Sequence, residues 1–260
     1  MKQNFLCVDV GNTHMVFGLY RQGNLQMDWR LSSQREMTSD ELAWQLYGLF
    51  TRLEVSPTDI DGIMIASVVP HLDQVLADPC QQVCQQQAAF VGSPEVKTAM
   101  AVDYKNPREV GADRIANAVA ARKFFGAPVI VLDCGTATTF DVVSAQGHYA
   151  GGLIVPGLEV SLQALSKRAA RLPEVSFGPI DTIIGRDTVT SMQAGVYWSN
   201  VEGLSGIVRR LRALPDYANA PVIATGGFAS IIAGGMDCIH SVEPHLTLQG
   251  LNLLATMNIK

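Results

Sequence analysis

Charged side chains are scarce in this 260-residue chain, 17% of the total, and neither sign dominates strongly, leaving a net charge of -5. Without a basic excess there is no global field to gather nucleic acid or an anionic membrane surface, so neither is expected as a partner. Long hydrophobic runs are missing as well. No apolar stretch reaches the roughly 20 residues that a bilayer requires. The apolar piece after Met1-Lys2 is only a strand long before Asp9 interrupts it, too short for a signal peptide. Cysteine is sparse: five residues, at 7, 80, 84, 134 and 238, with no Cys-x-x-Cys pair. That excludes a disulfide framework and points to reduced thiols in a cytoplasmic protein. Cys80 and Cys84 stand one helical turn apart, but no His or third Cys near them completes a metal site.

What is present is 48% hydrophobic content, enough for an ample core in one large domain or two small ones. The run Phe5-Leu6-Cys7-Val8 leads into Asp9-Val10-Gly11-Asn12-Thr13. A strand ending this way offers a carboxylate for a metal, a tight turn without a Cβ, and hydroxyl and amide donors for phosphate oxygens. The same residues also suit an ordinary hairpin turn. A second copy favours phosphate: Val129-Ile130-Val131-Leu132 runs into Asp133-Cys134-Gly135-Thr136, and each motif is followed by a returning extended segment. Asp133 follows Asp9, and Gly135 follows Gly11, by the same 124 positions. Duplicated lobes, divided as 1–115 and 116–260 with their two turns facing one cleft, are the expectation.

Between the turns, periodicity outlines an α/β chain. After the first motif, two further strands joined at Gln22-Gly23-Asn24 give a three-stranded antiparallel start. Thr38-Ser39-Asp40-Glu41 matches a capping box ahead of Leu42, Leu46, Leu49, Phe50 and Leu53 at helical spacing. Gly62-Ile63-Met64-Ile65-Ala66-Ser67-Val68-Val69 reads as a strand buried on both faces. A helix is expected over 71–87, with a break at Pro79. Later helices are expected over 115–125, from 158 to about 172, up to Arg212, and over 246–257. A late strand, Val222-Ile223-Ala224-Thr225, enters the pair Gly226-Gly227, which would let backbone approach the adenosine end of a nucleotide or simply open a helix.

Gly111-Ala112-Asp113-Arg114 stands at the entrance of the alanine-rich helix. Asp113 there would complement the helix dipole, but a cation at Arg114 is unfavourable in that place unless an anion or carboxylate lies opposite. The pair therefore marks a functional site.

In order along the chain stand the Asp9 turn, Ser67-Val68-Val69-Pro70, Tyr104-Lys105-Asn106-Pro107, Gly111-Ala112-Asp113-Arg114, the Asp133 turn, Gly152-Leu153-Ile154-Val155-Pro156-Gly157, Ile184-Gly185-Arg186-Asp187-Thr188 and Thr225-Gly226-Gly227. The set resembles the motif series of type III pantothenate kinases over nearly the full length. The resemblance implies the actin-like superfamily that also holds acetate and sugar kinases, with two ribonuclease-H-like lobes and mixed sheets flanked by helices. It implies transfer of the γ-phosphoryl group of ATP to the 4'-hydroxyl of pantothenate, the first step of coenzyme A synthesis, in a homodimer. Residue by residue, it assigns ATP phosphates to Asp9, Val10, Gly11, Asn12, Thr13, His14, Met15 and Val16 and to Thr136. Pantothenate falls to Tyr104, Gly111, Ala112, Asp113, Arg114 and Thr188, with Asp113 as proton acceptor. Asp133 would hold a monovalent cation, K+ or NH4+, and Asp9 would face Mg2+.

Two positions depart from the family pattern. Asp187 stands where Asn is more frequent, and the stretch from Tyr197 to Gly203 carries Trp198 and Ser199 where glycine is common. Two alternatives stay open: an actin-like kinase with another small-molecule acceptor, and a non-catalytic regulatory relative that keeps the fold.

Overall fold

Strand formation in the first half follows from where apolar residues run unbroken. The computed structural model describes residues 4–178, 180 and 182–259, so the expected lobe ends at 1 and 260 lie outside the described residues. Asn4–Val10 (β1) pairs antiparallel with His14–Arg21 (β2), which pairs antiparallel with Asn24–Ser32 (β3). The helix Ser39–Arg52 (α1) begins at the expected capping box: Glu41 N–H donates to the Thr38 side chain, and the Glu41 carboxylate accepts from Thr38 N–H. It buries Leu42, Leu46 and Phe50 against the sheet, each contributing about 1.5–3 kcal/mol. Gly62–Ser67 (β4) then lies parallel to β1, and Ala88–Phe90 (β5) parallel to β4.

Between those two strands runs Asp73–Cys84 (α2), unbroken at Pro79. The expected break there does not occur. The ring at Pro79 costs a single backbone hydrogen bond, and it is buried in the same helix face as Leu76, Cys80 and Val83, which packing holds in place.

After Ala112–Phe125 (α3) the pattern repeats. Val129–Cys134 (β6) is the centre of a second sheet, antiparallel to Ala137–Val143 (β7), which is itself antiparallel to Tyr149–Pro156 (β8). Leu158–Arg168 (α4) ends sooner than the 172 expected, because Ala169 turns extended directly after the basic pair Lys167 and Arg168. Thr188–Arg212 (α5) covers the sheet with Met192, Val196, Tyr197, Val201, Leu204 and Val208. Val222–Thr225 (β9) lies parallel to β6, followed by the short Ala229–Ala233 (α6) and a two-residue strand, Ser241–Val242 (β10).

The two sheets have one topology, β3-β2-β1-β4-β5 and β8-β7-β6-β9-β10. Duplication is therefore a property of the fold as well as of the motifs. Registers refine it: Asp9 pairs with Val16, seven residues on, whereas Asp133 pairs with Thr139, six residues on. The second hairpin is one residue shorter.

The chain divides into two compact units, Met1–Ala120 with Leu246–Lys260, and Ala121–His245. The first unit thus differs from the expected 1–115 chiefly in taking back the last helix, Leu246–Asn258 (α7), which packs on β1, β2 and β4. Two glycines make room: a Cβ at Gly18 would meet Leu248, and one at Gly62 would meet Ile259. Among the described residues no helix is long and apolar enough to cross a membrane.

Candidate active site

The first turn is shaped from below by the core. Val10 and Met15 are fully buried in the cluster beneath β1, so of the residues expected at phosphate these two offer backbone only. Asn12, Thr13 and His14 are exposed, while Asp9, Gly11 and Val16 are partly buried. Gly11 N–H donates to the His14 carbonyl at 3.0 Å, which closes the turn. Ser33, just past β3, braces it from the side: its Oγ donates to the Gly11 carbonyl at 2.6 Å and its N–H to the Thr13 carbonyl at 3.0 Å. No sequence signal pointed to Ser33.

The second turn gathers three of the motifs. Asp133 is partly buried at the end of β6 and Thr136 is exposed. Gly157, at the end of the Gly152-to-Gly157 motif, lies so close that a Cβ there would strike the Gly135 and Thr136 carbonyls; its N–H donates to Thr136 at 3.2 Å. Gly226 arrives from β9 with φ +91, and a Cβ there would stand 2.5 Å from Asp133 Oδ1 and 2.7 Å from the Cys134 backbone. Phe228 N–H then donates to the Cys134 carbonyl at 3.0 Å. Gly226 is thus a glycine by necessity of packing and conformation, whereas a Cβ on Gly227 would meet nothing within 4 Å. Of the pair expected to meet nucleotide, the second is the one left open. The Cys134 thiol is buried and pushed up to about 12 by desolvation, so it is no nucleophile.

The third part is the entrance of α3. Ala112 and Arg114 are buried and Asp113 is partly buried. Arg114 N–H donates to Asp113 Oδ1 at 2.8 Å, and Gly111 leaves the space into which that carboxylate turns, since a Cβ there would strike Asp113 Oδ1 and stand 3.5 Å from Val68. Burial raises the pKa of Asp113, with the Arg114 N–H and guanidinium opposing it. Below, Thr247 Oγ1 on α7 donates to Asn117 Oδ1 at 2.8 Å, and Gly250 sits directly on the Ala116 backbone. These two contacts pin α3 to α7, and sequence reasoning found neither.

Tyr104 is 40% exposed in the loop before α3. Its neighbour Asn106 has a structural task, accepting from Arg108 N–H and donating to Glu109. Thr188 is exposed at the first position of α5. The departure at Asp187 has a physical reason: its carboxylate is the N-cap of α5, accepting from Thr190 N–H at 2.8 Å, and that hydrogen bond lowers its pKa. Asp187-x-x-Thr190 is a capping pattern legible in the sequence. Gly185 before it lies against the Ser191 backbone. The second departure is a matter of packing, with Trp198 edge-on to Tyr197 at 5.0 Å and Ser199 and Asn200 both bonded to the Val196 carbonyl.

No three His, Cys, Asp or Glu side chains cluster as a metal cage among the described residues. The single carboxylates Asp9 and Asp133, each at the end of a central strand, suit cations that draw further ligands from phosphate oxygens and water, as Mg2+ does.

Comparison with known proteins agrees with this layout. A sequence model of the family described as Type III pantothenate kinase matches residues 5–210. A type III pantothenate kinase from Brevibacillus brevis is 43% identical over 254 residues, 97% of this chain and 98% of that protein. Among solved structures, a conserved Baf family protein from Campylobacter jejuni matches with a TM-score of 0.60 at 20% identity, over 97% of this chain and 98% of that one. MreB 5 of Spiroplasma citri bound to AMPPNP matches with a TM-score of 0.55 at 9% identity, over 99% and 97%. At those identities the structural likeness speaks for the fold, that of the actin-like ATPases, with its two mixed sheets flanked by helices. The sequence match extends almost end to end and goes further: the chain belongs to the type III pantothenate kinase family.

Proposed function

We propose that the pantothenate kinase activity of this family is carried in this chain by Asp9, Asp113 and Asp133, in three separate roles. ATP is the phosphoryl donor and the 4'-hydroxyl of pantothenate the acceptor, which makes the reaction the entry to coenzyme A synthesis. The observation that carries the reading is a path within the first unit. Val68 N–H donates to the Val10 carbonyl in the first turn at 3.0 Å, and the Val68 side chain lies beside Gly111 and hence beside the Asp113 carboxylate. A phosphate turn and a carboxylate suited to an acceptor hydroxyl thus share one rigid frame.

Phosphoryl transfer through a loose transition state asks mainly for alignment and charge neutralisation. In this reading the amides and hydroxyls of Gly11, Asn12 and Thr13, with Thr136 of the second turn, orient the triphosphate. Asp113 accepts a hydrogen bond from the acceptor hydroxyl and takes its proton late, once the bond to phosphorus is forming. A hydroxyl is too weak an acid for a carboxylate to deprotonate it beforehand, so orientation is the larger part of that role. Arg114, always protonated, holds Asp113 ionised or pairs with the carboxylate of pantothenate, and Tyr104 and Thr188 complete the acceptor site. Mg2+ held by Asp9 and a monovalent cation, K+ or NH4+, held by Asp133 would neutralise charge on the phosphates. Association of two copies belongs to the same reading and rests on family resemblance.

The test is Asp113→Asn. Turnover is expected to fall by roughly 100-fold or more while ATP affinity stays within about twofold, the signature of a group that meets the acceptor and not the nucleotide. Turnover close to that of the unmodified protein would remove Asp113 from the reaction.

A further inference from the structure

Ser67 closes β4 at the register position beside Val10, immediately next to the first phosphate turn. Its Oγ donates to Asp73 Oδ1 at 2.5 Å and accepts from Val69 N–H at 3.2 Å. One hydroxyl thereby ties the end of a central strand to the first residue of α2 and folds the intervening turn, Val68-Val69-Pro70, over itself. Within that turn Val69 is buried in the first core, and Val68 is directed at Gly111, 3.5 Å from where a Cβ would stand. Val68 N–H remains bonded to the Val10 carbonyl. The turn therefore touches the phosphate turn with its backbone and the Asp113 carboxylate's surroundings with its side chain.

We infer that the Ser67–Asp73 pair is a positioning element that sets the spacing between the first phosphate turn and the Asp113 carboxylate. This rests on the reading of Asp113 given above. Without the Ser67 hydroxyl, the Val69 N–H loses its acceptor and Asp73 its donor, and the turn is no longer held in one shape. Val68 is then free to shift by a fraction of an ångström to an ångström, and Gly111, which has no side chain of its own, offers nothing to stop it. In-line transfer is sensitive to displacements of that size. Neither Ser67 nor Asp73 need touch substrate.

The experiment compares Ser67→Ala, Ser67→Thr and Asp113→Asn, singly and as the Ser67→Ala/Asp113→Asn double variant, by kcat for pantothenate phosphorylation, ATP affinity and thermal midpoint. Ser67→Ala is expected to lower kcat by roughly tenfold with ATP affinity within about twofold. Ser67→Thr, which keeps the hydroxyl, restores most of it. In the Asp113→Asn background the same Ser67→Ala change should cost little, because its effect runs through the carboxylate already lost. An unchanged kcat in Ser67→Ala, or an equal fold loss in both backgrounds, overturns the inference. So does a loss that Ser67→Thr fails to restore and that parallels a fallen midpoint. Unmodified turnover in Asp113→Asn alone would instead strike the reading of Asp113 beneath it.

Discussion

Gly226 stands against Asp133 so closely that a β-carbon on the glycine would lie 2.5 Å from the carboxylate Oδ1. The last strand of the second sheet therefore props the acidic residue of the first, and the Thr-Gly-Gly motif acts on the second turn before it acts on any ligand.

A sharp contrast between adjacent glycines should result. Gly226→Ala places a side chain at φ +91 and into the Cys134 backbone, so it is expected to cost about 3 kcal/mol, or roughly 10 °C in thermal midpoint, together with most activity. Gly227→Ala meets no atom within 4 Å and should leave the midpoint nearly unchanged. If Gly227 admits nucleotide, its Ala variant weakens ATP binding alone. Calorimetry of both variants with and without ATP separates the two effects.

The pH dependence of the reaction should carry the mark of Asp113. Its pKa is raised, chiefly by burial, so the ionised form that accepts a proton is depleted at a higher pH than for an ordinary carboxylate. Turnover is expected to fall on acidification through that raised value. For stability the sign is opposite: the folded state holds the proton more tightly than the unfolded one, so stability from this group is full below the unfolded pKa and is lost as pH rises through the folded pKa. Asp113→Asn should therefore flatten the acid limb of kcat and raise the thermal midpoint at neutral pH, both readable from one pH series.

Asp187→Asn tests whether the family departure matters for function. Asn caps a helix as well as Asp does, so α5 and Thr188 should stay in place and the thermal midpoint should hardly move near neutral pH. Removing one negative charge near an anionic acceptor is expected to lower the KM for pantothenate by about twofold to threefold at low salt, an effect that salt should erode. Steady-state kinetics at two ionic strengths would show it. Asp187→Ala, which removes the cap, should raise KM instead.

Much of this layout was legible in the residues, and the physical reason differs from part to part. The Asp9 and Asp133 turns announced themselves because strand, acidic turn and returning strand recur in register, and the shared sheet order is the consequence of that repeat. The Thr38 capping box fixed the start of α1 for a similar reason, as chemistry local to four residues. Long-range contacts gave no such signal. Apolar spacing showed that α7 is a buried helix but not which sheet it covers, and the matching clues, Gly18, Gly62 and Gly250, are glycines whose purpose appears only beside Leu248, Ile259 and Ala116. Ser33 and Ser67 act on backbone through a single hydroxyl, a task any surface serine could have. Pro79 misled because propensity alone breaks a helix there, whereas its buried face keeps α2 whole. β10, two residues long, is too short to show any alternation.

The most direct measurement is a coupled assay of ADP release by the purified protein with ATP, Mg2+ and K+, with pantothenate added or withheld. The expected result is release that depends on pantothenate, with a product heavier than pantothenate by one phosphate. Tight ATP binding with no pantothenate-dependent release, or equal release in its absence, would contradict the assignment of pantothenate as acceptor.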